Sequence, residues 1–241
     1  MNTQIRSTKY VILLLAIVLL GCENIAVKEW GNGNIETKKI ELETFSEVQL
    51  DGGFEVWVSE ENSSALTIVT DENLMGYIEA EVRGDKLRIY TTESISSREG
   101  IKLYLDYTQL EFIQISGAVS LHNEKVLKGE MLDLNMSGAG SVQLDLDVKE
   151  LDLNISGAGA VELEGDAESL YVSMSGAGGL NAYDLVSSEC NIGISGVGGA
   201  KIHVTQKLTA RVSGIGGISY KGNPSDVQKD VSGIGSINRE D

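Results

Sequence analysis

Leu153-Asn154-Ile155-Ser156-Gly157-Ala158-Gly159-Ala160-Val161 decides the fold, because the chain keeps returning to it. Seven Ser-Gly steps fall at Ser116-Gly117, Ser137-Gly138, Ser156-Gly157, Ser175-Gly176, Ser195-Gly196, Ser213-Gly214 and Ser232-Gly233, at a nearly constant spacing. Aligned on the serine, apolar residues stand directly before it: Ile115, Met136, Ile155, Met174, Ile194, Val212 and Val231. Two positions earlier stand Ile113, Leu134, Leu153, Val172, Ile192 and Ala210, until Lys229 breaks the column. Five positions after the serine stand Leu121, Val142, Val161, Leu180, Ala200, Ile218 and Ile237. Polar residues such as Asp133, Asn135, Gln143, Asp152, Asn154 and Glu162 fill the places between. Alternation with period two describes strands with one buried and one wet face. A short, regular repeat of this kind describes a solenoid, whose units bury their apolar edges only against one another.

The glycines of the step, Gly117, Gly138, Gly157, Gly176, Gly196, Gly214 and Gly233, read as structural corners. A second glycine follows at Gly140, Gly159, Gly178, Gly198, Gly216 and Gly235, with Val119 in its place in the first copy. Each repeat then reads as strand, glycine corner, strand and a polar turn such as Gly165-Asp166-Ala167-Glu168. Glycine reaches positive φ without a Cβ penalty, so the corners are expected to use it, and the Val119 corner to be looser. Two strands per repeat could also make an antiparallel meander. Like residues recurring at one position favour stacked parallel coils instead. Ser156-Gly157-Ala158-Gly159 resembles a phosphate-cradling loop, but such a loop opens a helix. Here strand alternation follows, and no Gly-Lys-Ser or Gly-Lys-Thr occurs. The glycines are repeat punctuation.

At the start, Arg6 and Lys9 precede the apolar run Val11 to Leu20, and Leu19-Leu20-Gly21-Cys22 follows. A basic region, a short apolar core and a small residue before the cut make residues 1–21 a secretory signal, too short to span a bilayer. A cysteine directly after the small residue matches a lipobox. Cys22 is therefore the expected lipidation site, followed by a linker over 22–29. Glu23 rather than Asp after the cysteine favours an outer-membrane destination. The one other cysteine, Cys190, lies beside a core column and reads as a small buried residue without a partner.

The chain carries 36 acidic and 19 basic residues, a formal net charge of −17, and no acid lies in the signal. Such a surface repels phosphate backbones, which excludes DNA or RNA as a partner. One proline and 28 glycines alongside strand-like alternation fit an all-β solenoid rather than a disordered stalk.

Over residues 30–110 the repeat is irregular. Val48 to Val56 keeps the strand, corner, strand shape, with Asp51 in the serine's place. Leu66 to Val69 reads as a strand, and Asp71 as the cap of a short helical turn. Ile78 to Val82 and Leu87 to Tyr90 flank Arg83-Gly84-Asp85-Lys86, a hairpin. Ile101, Leu103 and Leu105 mark another strand. This section is expected to cap the N-terminal end of regular repeats spanning 111–238.

The lipobox, Gly31-Asn32-Gly33-Asn34, Asp51-Gly52-Gly53-Phe54 and the serial Ser-Gly-Ala-Gly steps together resemble the bacterial DUF2807 family, the GIN domain of autotransporter adhesin heads. The resemblance covers roughly residues 30 to 237. It implies a right-handed parallel β-helix-like fold over 30–241, a place in the cell envelope and an adhesive role, and it brings no catalytic residues. Ending at Asp241, the sequence leaves no room for a translocator barrel. A lipid anchor is expected to take the barrel's place.

Candidate chemistry is sparse. Arg83-Gly84-Asp85 matches an integrin-type tripeptide, although turn formation accounts for it. Asp133, Asp145, Asp147 and Asp152 could offer oxygen ligands to Ca²⁺, yet no calcium-repeat loop surrounds them, and they read as solvated carboxylates. His122 and His203 lie in different repeats without cysteine or histidine neighbours, so no metal is expected. Nor is any cofactor. The aromatic residues look scattered, with Trp30 and Trp57 able to meet near the cap. The reading is a noncatalytic envelope lipoprotein that binds a glycan or surface protein. The alternative is a β-helical polysaccharide lyase or hydrolase, which would need paired carboxylates in a groove.

Overall fold

The computed structural model describes residues 28–240, so the signal and Cys22 lie outside the described residues. Strands make up 73% of the structure and helix 3%, in a β-solenoid of about 7 turns. Ala139–Ile155, Ala158–Met174, Ala177–Ile194 and Val197–Val212 are long bent strands, each reaching from one Ser-Gly step to the next. Neighbours pair in parallel, like upon like: Val142 on Val161, Leu153 on Val172, Ile155 on Met174. The meander is thereby excluded. The aligned apolar columns turn inward, and Leu134, Leu153, Ile192 and Ala210 are fully buried. Their burial is the driving force, since no disulfide occurs among the described residues.

One expected turn is no turn. Asp166 and Ala167 continue the parallel ladder on Asp147 and Val148, and Ala167 is buried. The bend is taken at Gly165, whose φ is 103°. Equal repeat lengths keep backbone partners opposite one another, so the ladder runs on around the coil.

The corner glycines work differently from the sequence expectation. None of the seven step glycines is among the positive-φ residues, whereas the second glycines Gly140, Gly198 and Gly216 are, with φ of 144°, 159° and 155°. What excludes a side chain is the coil beneath. A Cβ on Gly157 would land on the carbonyl oxygen of Gly138, one on Gly138 on that of Gly117, and one on Gly117 on that of Gly52. The backbone at the corner is stacked too closely for any other residue. Hydrogen bonds tie the same corners together, with Ala158 N–H donating to Gly138 C=O at 3.0 Å and Ala177 N–H to Gly157 C=O at 3.0 Å. Val119 does not loosen its corner. Its side chain is buried, and pairing with Gly140 and Phe54 runs unbroken.

Unequal spacing is absorbed by register slips, between Glu162 and Glu164 in one strand pair and at two points in the next, the second of them between Ser187 and Glu189. The register slips between Ala182 and Val186 where Ala177–Ile194 pairs with Val197–Val212. Ser187, fully buried there, donates its hydroxyl to His203 C=O at 2.7 Å, and Thr205 donates to Ser187 C=O at 3.1 Å. Side chains thus satisfy a ladder that the bulge interrupts. Cys190 is buried in the column between Leu170 and Leu208, and this apolar setting pushes its thiol up to about 12. It is a packing residue.

At the N-terminal end the coils are stacked out of chain order. Glu47–Asp51 lies between Lys86–Thr91 on one side and Phe112–Ile115 on the other, parallel to both. Gly53–Glu60 lies likewise between Lys102–Tyr107 and Ala118–Asn123. Asp51-Gly52 therefore does occupy the place of a Ser-Gly step. Ala65–Asp71 and Ile35–Glu41 then add antiparallel strands beyond Lys102–Tyr107, and Ile78–Arg83 forms the hairpin with Lys86–Thr91. The strand Ile35–Glu41 was not anticipated; its residues are almost all exposed, so it lacks the alternation that marks the others.

Asp71 precedes the 3₁₀ turn Glu72–Tyr77 but makes no side-chain cap to it. Its carboxylate faces the other way and accepts the N–H of Gly33 at 2.6 Å. Gly31 abuts the same carboxylate, leaving no space for a Cβ. Asn32 N–H donates to Asn73 Oδ1 at 2.9 Å, and Asn73 Nδ2 donates to Trp30 C=O at 2.8 Å. The Gly-Asn-Gly-Asn motif is thus a clasp that fastens the first residues of the fold to the cap.

Candidate ligand-binding groove

In the strand that follows each corner, the second, fourth and sixth residues after the serine share the outer face. The second position carries Ala158 and Ala177, then Val197, Ile215 and Ile234, which are 56%, 53% and 75% exposed. The fourth carries Ala160, Gly179, Gly199 and Gly217, and the sixth carries Glu162, Asn181, Lys201 and Ser219. The small fourth-position residues and the sixth-position row line a shallow groove across the coils, of about 600 Å³. Its polar bank is the sixth-position row, and the apolar second-position row stands exposed beside the floor.

The floor glycines contrast with those of the corners. A Cβ on Gly179 would have no heavy atom nearer than 3.9 Å, and one on Gly199 none nearer than 3.6 Å. Neither has a positive φ. The fold does not require glycine here. Glycine within a strand weakens it, and where no packing demands it the remaining use is close approach by something else.

Hydrogen bonds between coils hold the polar bank. Glu162 accepts from Gln143 Nε2 at 3.1 Å and from Asn181 Nδ2 at 3.3 Å. Near its far end Lys201 and Lys221 lie over the Tyr183 ring at 5.4 and 5.3 Å. Tyr183 and Ser219 hydroxyls both donate to Glu240, whose carboxyl they hold below its ordinary range.

The same sixth-position column continues past Gln143 toward the cap as His122, Trp57 and Tyr104. Trp57 stacks on Tyr104 at 5.0 Å and on His122 at 5.7 Å. Both faces of the indole are therefore occupied, which makes a ladder rather than a platform for sugar. Trp30 does not share this stack; it is 62% exposed with Lys28 over its ring. The ladder could have been found in the sequence, since Trp57 follows Asp51 at the same offset as His122 follows Ser116.

The acidic candidates do not converge. Asp133 and Asp152 are neighbours in adjacent coils, each accepting from its own asparagine, Asn135 at 2.8 Å and Asn154 at 2.9 Å. Burial, and then the Asp152 charge, raises the Asp133 carboxyl. Asp145 lies elsewhere, in a hollow of about 480 Å³ with His122, Lys125, Glu162 and Glu164. No group of three His, Cys, Asp or Glu residues among the described ones is placed to hold a metal. Gly84 of the Arg-Gly-Asp tripeptide takes φ 63° at the hairpin tip, where Arg83 pairs with Glu81 at 2.7 Å.

Solved structures share the architecture. A protein from Bacteroides fragilis described as a "putative adhesin" superimposes with a TM-score of 0.84 at 24% identity, covering 88% of this chain and 99% of that one. A protein from Parabacteroides distasonis described as a "putative lipid binding protein" has a TM-score of 0.74 at 27% identity, covering 89% of this chain and 100% of that one. A third, a "putative adhesin" from Parabacteroides merdae, has a TM-score of 0.68 at 27% identity, covering 89% of this chain and 99% of that one. No curated protein matches. The description "Putative auto-transporter adhesin, head GIN domain" matches residues 44–224, and the chain belongs to that family, DUF2807.

Proposed function

We propose that this protein is an exported, lipid-anchored envelope adhesin that holds an elongated surface ligand, a glycan strand or a protein segment, in the axial groove without transforming it. The carrying observation is the row Gly179, Gly199 and Gly217, glycines that the fold does not need, between an exposed apolar row and a polar bank. The apolar row would cover a ligand's carbon face, while Glu162, Asn181, Lys201 and Ser219 offer hydrogen-bonding partners along its edge. Membership of an adhesin family supports this reading, as does the dispersal of the carboxylates that a lyase or hydrolase would gather.

All coils and the cap lie within residues 28–240, so residues 24–241 can be screened in soluble form against glycan and matrix-protein arrays. Gly199→Tyr places a large side chain on an open floor and is expected to abolish binding, whereas Asp133→Asn retains it. Undiminished binding by the tyrosine variant would remove the groove from the mechanism. Release of reducing or unsaturated sugar ends by the unmodified protein would replace the adhesin reading with an enzyme. Anchoring rests on Cys22 and the proposed outer-membrane location on Glu23 after it. Cys22→Ser is expected to abolish incorporation of labelled palmitate and move the protein out of the detergent phase. Equal label in both forms would refute lipidation.

A further inference from the structure

The last coil consists of Asp226–Val231, which pairs with Val197–Val212, and Ile234–Arg239, which pairs with Ile215–Lys221. Each has that one registered partner among the described strands. The other edge of each presents backbone donors and acceptors without a ladder. An unpaired edge of this kind is a template on which another chain can stack.

Two core columns change character in this coil. Leu134, Leu153, Val172, Ile192 and Ala210 lead to Lys229, and Leu144, Leu163, Ala182, Ile202 and Tyr220 lead to Arg239. Every residue before the two cations is buried. Lys229 stands directly over Ala210, the smallest member of its column, which leaves room for the lysine stem. The stem crosses the end of the core. Its ammonium lies 4.6 Å from the centroid of the Tyr220 ring and donates to Ile237 C=O, on the opposite wall, at 3.3 Å. Arg239 turns to Asn223 Oδ1 at 3.1 Å. A long aliphatic stem covers apolar surface while its charge stays in water.

We propose that Lys229 and Arg239 make the last coil a blocked edge, which keeps a second copy of this chain from stacking its own last coil there. The partner surface follows from the fold. The opposite end carries the antiparallel strands Ile35–Glu41 and Ala65–Asp71, so the edge of matching shape is the same last coil of another molecule, related by a twofold axis that sets the two coils' strands antiparallel. That approach would enclose the Lys229 and Arg239 side chains of both copies in one interface. Desolvation and like charge both oppose it. The proposal concerns self-association and stands apart from the groove.

The test compares soluble residues 24–241 with Lys229→Val/Arg239→Val by analytical ultracentrifugation and hydrogen exchange. The parent protein is expected to remain monomeric up to its solubility limit. The double variant is expected to double in mass, with new amide protection confined to residues 226–239. A monomeric double variant with an unchanged β spectrum would overturn the proposal. So would a dimer protected elsewhere, or a parent already paired through 226–239. Should the double variant lose its β spectrum, Lys229→Leu alone is judged by the same outcomes.

Discussion

Gly157→Val lowers stability by about 3 kcal/mol, because the new side chain has to displace the backbone of the neighbouring coil rather than a side chain that can move aside. Its Cβ falls on the carbonyl oxygen of Gly138, and Gly157 C=O is itself the acceptor for Ala177 N–H. Separating the coils at that point weakens ladders on both sides. The midpoint of thermal unfolding should fall by roughly 6–12 °C for a chain of this size. Gly199→Ala is the control. Its Cβ meets nothing nearer than 3.6 Å, so stability should stay within about 0.5 kcal/mol of the parent. Equal losses at the two glycines, measured by urea unfolding, would show that close stacking is not what reserves the corner for glycine.

The second large effect is expected at Asp71, which is 2% exposed at the junction of clasp and cap. The Ser97 hydroxyl and the Gly33 N–H hold its carboxyl below the usual carboxylate range, against the opposing effect of burial. Asp71→Ala removes a charged acceptor and leaves that N–H unpaired, a loss of about 1.5–3 kcal/mol. Because the folded-state value is depressed, the ionised group stabilises the fold above the unfolded pKa of about 3.9. That contribution disappears as pH falls through the lower, folded value. The gap between parent and Asp71→Asn should therefore stay constant across neutral pH and close only in acid. A gap that widened in acid would contradict the assignment.

Parallel coils, buried columns and the Asp51 corner were legible because each is a matter of like residues meeting at a fixed spacing. The cause of the corner glycines was not. Positive φ is a local property that a sequence suggests, whereas the obstruction at Gly157 comes from Gly138, a coil away. For the same reason Gly157 and Gly199 look alike in the sequence and differ only in what lies over them. The groove stayed hidden behind that likeness. Trp57 was legible in principle, since its offset from Asp51 matches that of His122 from Ser116. The nearest neighbours of Asp71 suggest a helix cap, while its carboxylate answers to Gly33, distant in the chain. Alignment of columns also tells which segments can stack, but not on which side.

That last point governs how the chain acquires its shape. From Leu127 onward each coil meets the one made just before it, with partners such as Leu134 and Leu153 separated by a single repeat. Leu50, by contrast, needs both Ile89 and Ile115, which follow only after several intervening strands. Closing such loops costs entropy before any contact repays it, and formation slows accordingly. A chain emerging from its N-terminus must hold the Glu47–Glu60 segment open on one side until residues 86–107 have arrived and on the other until residues 112–123 have followed. The regular coils can propagate as they appear, so the irregular end sets the rate.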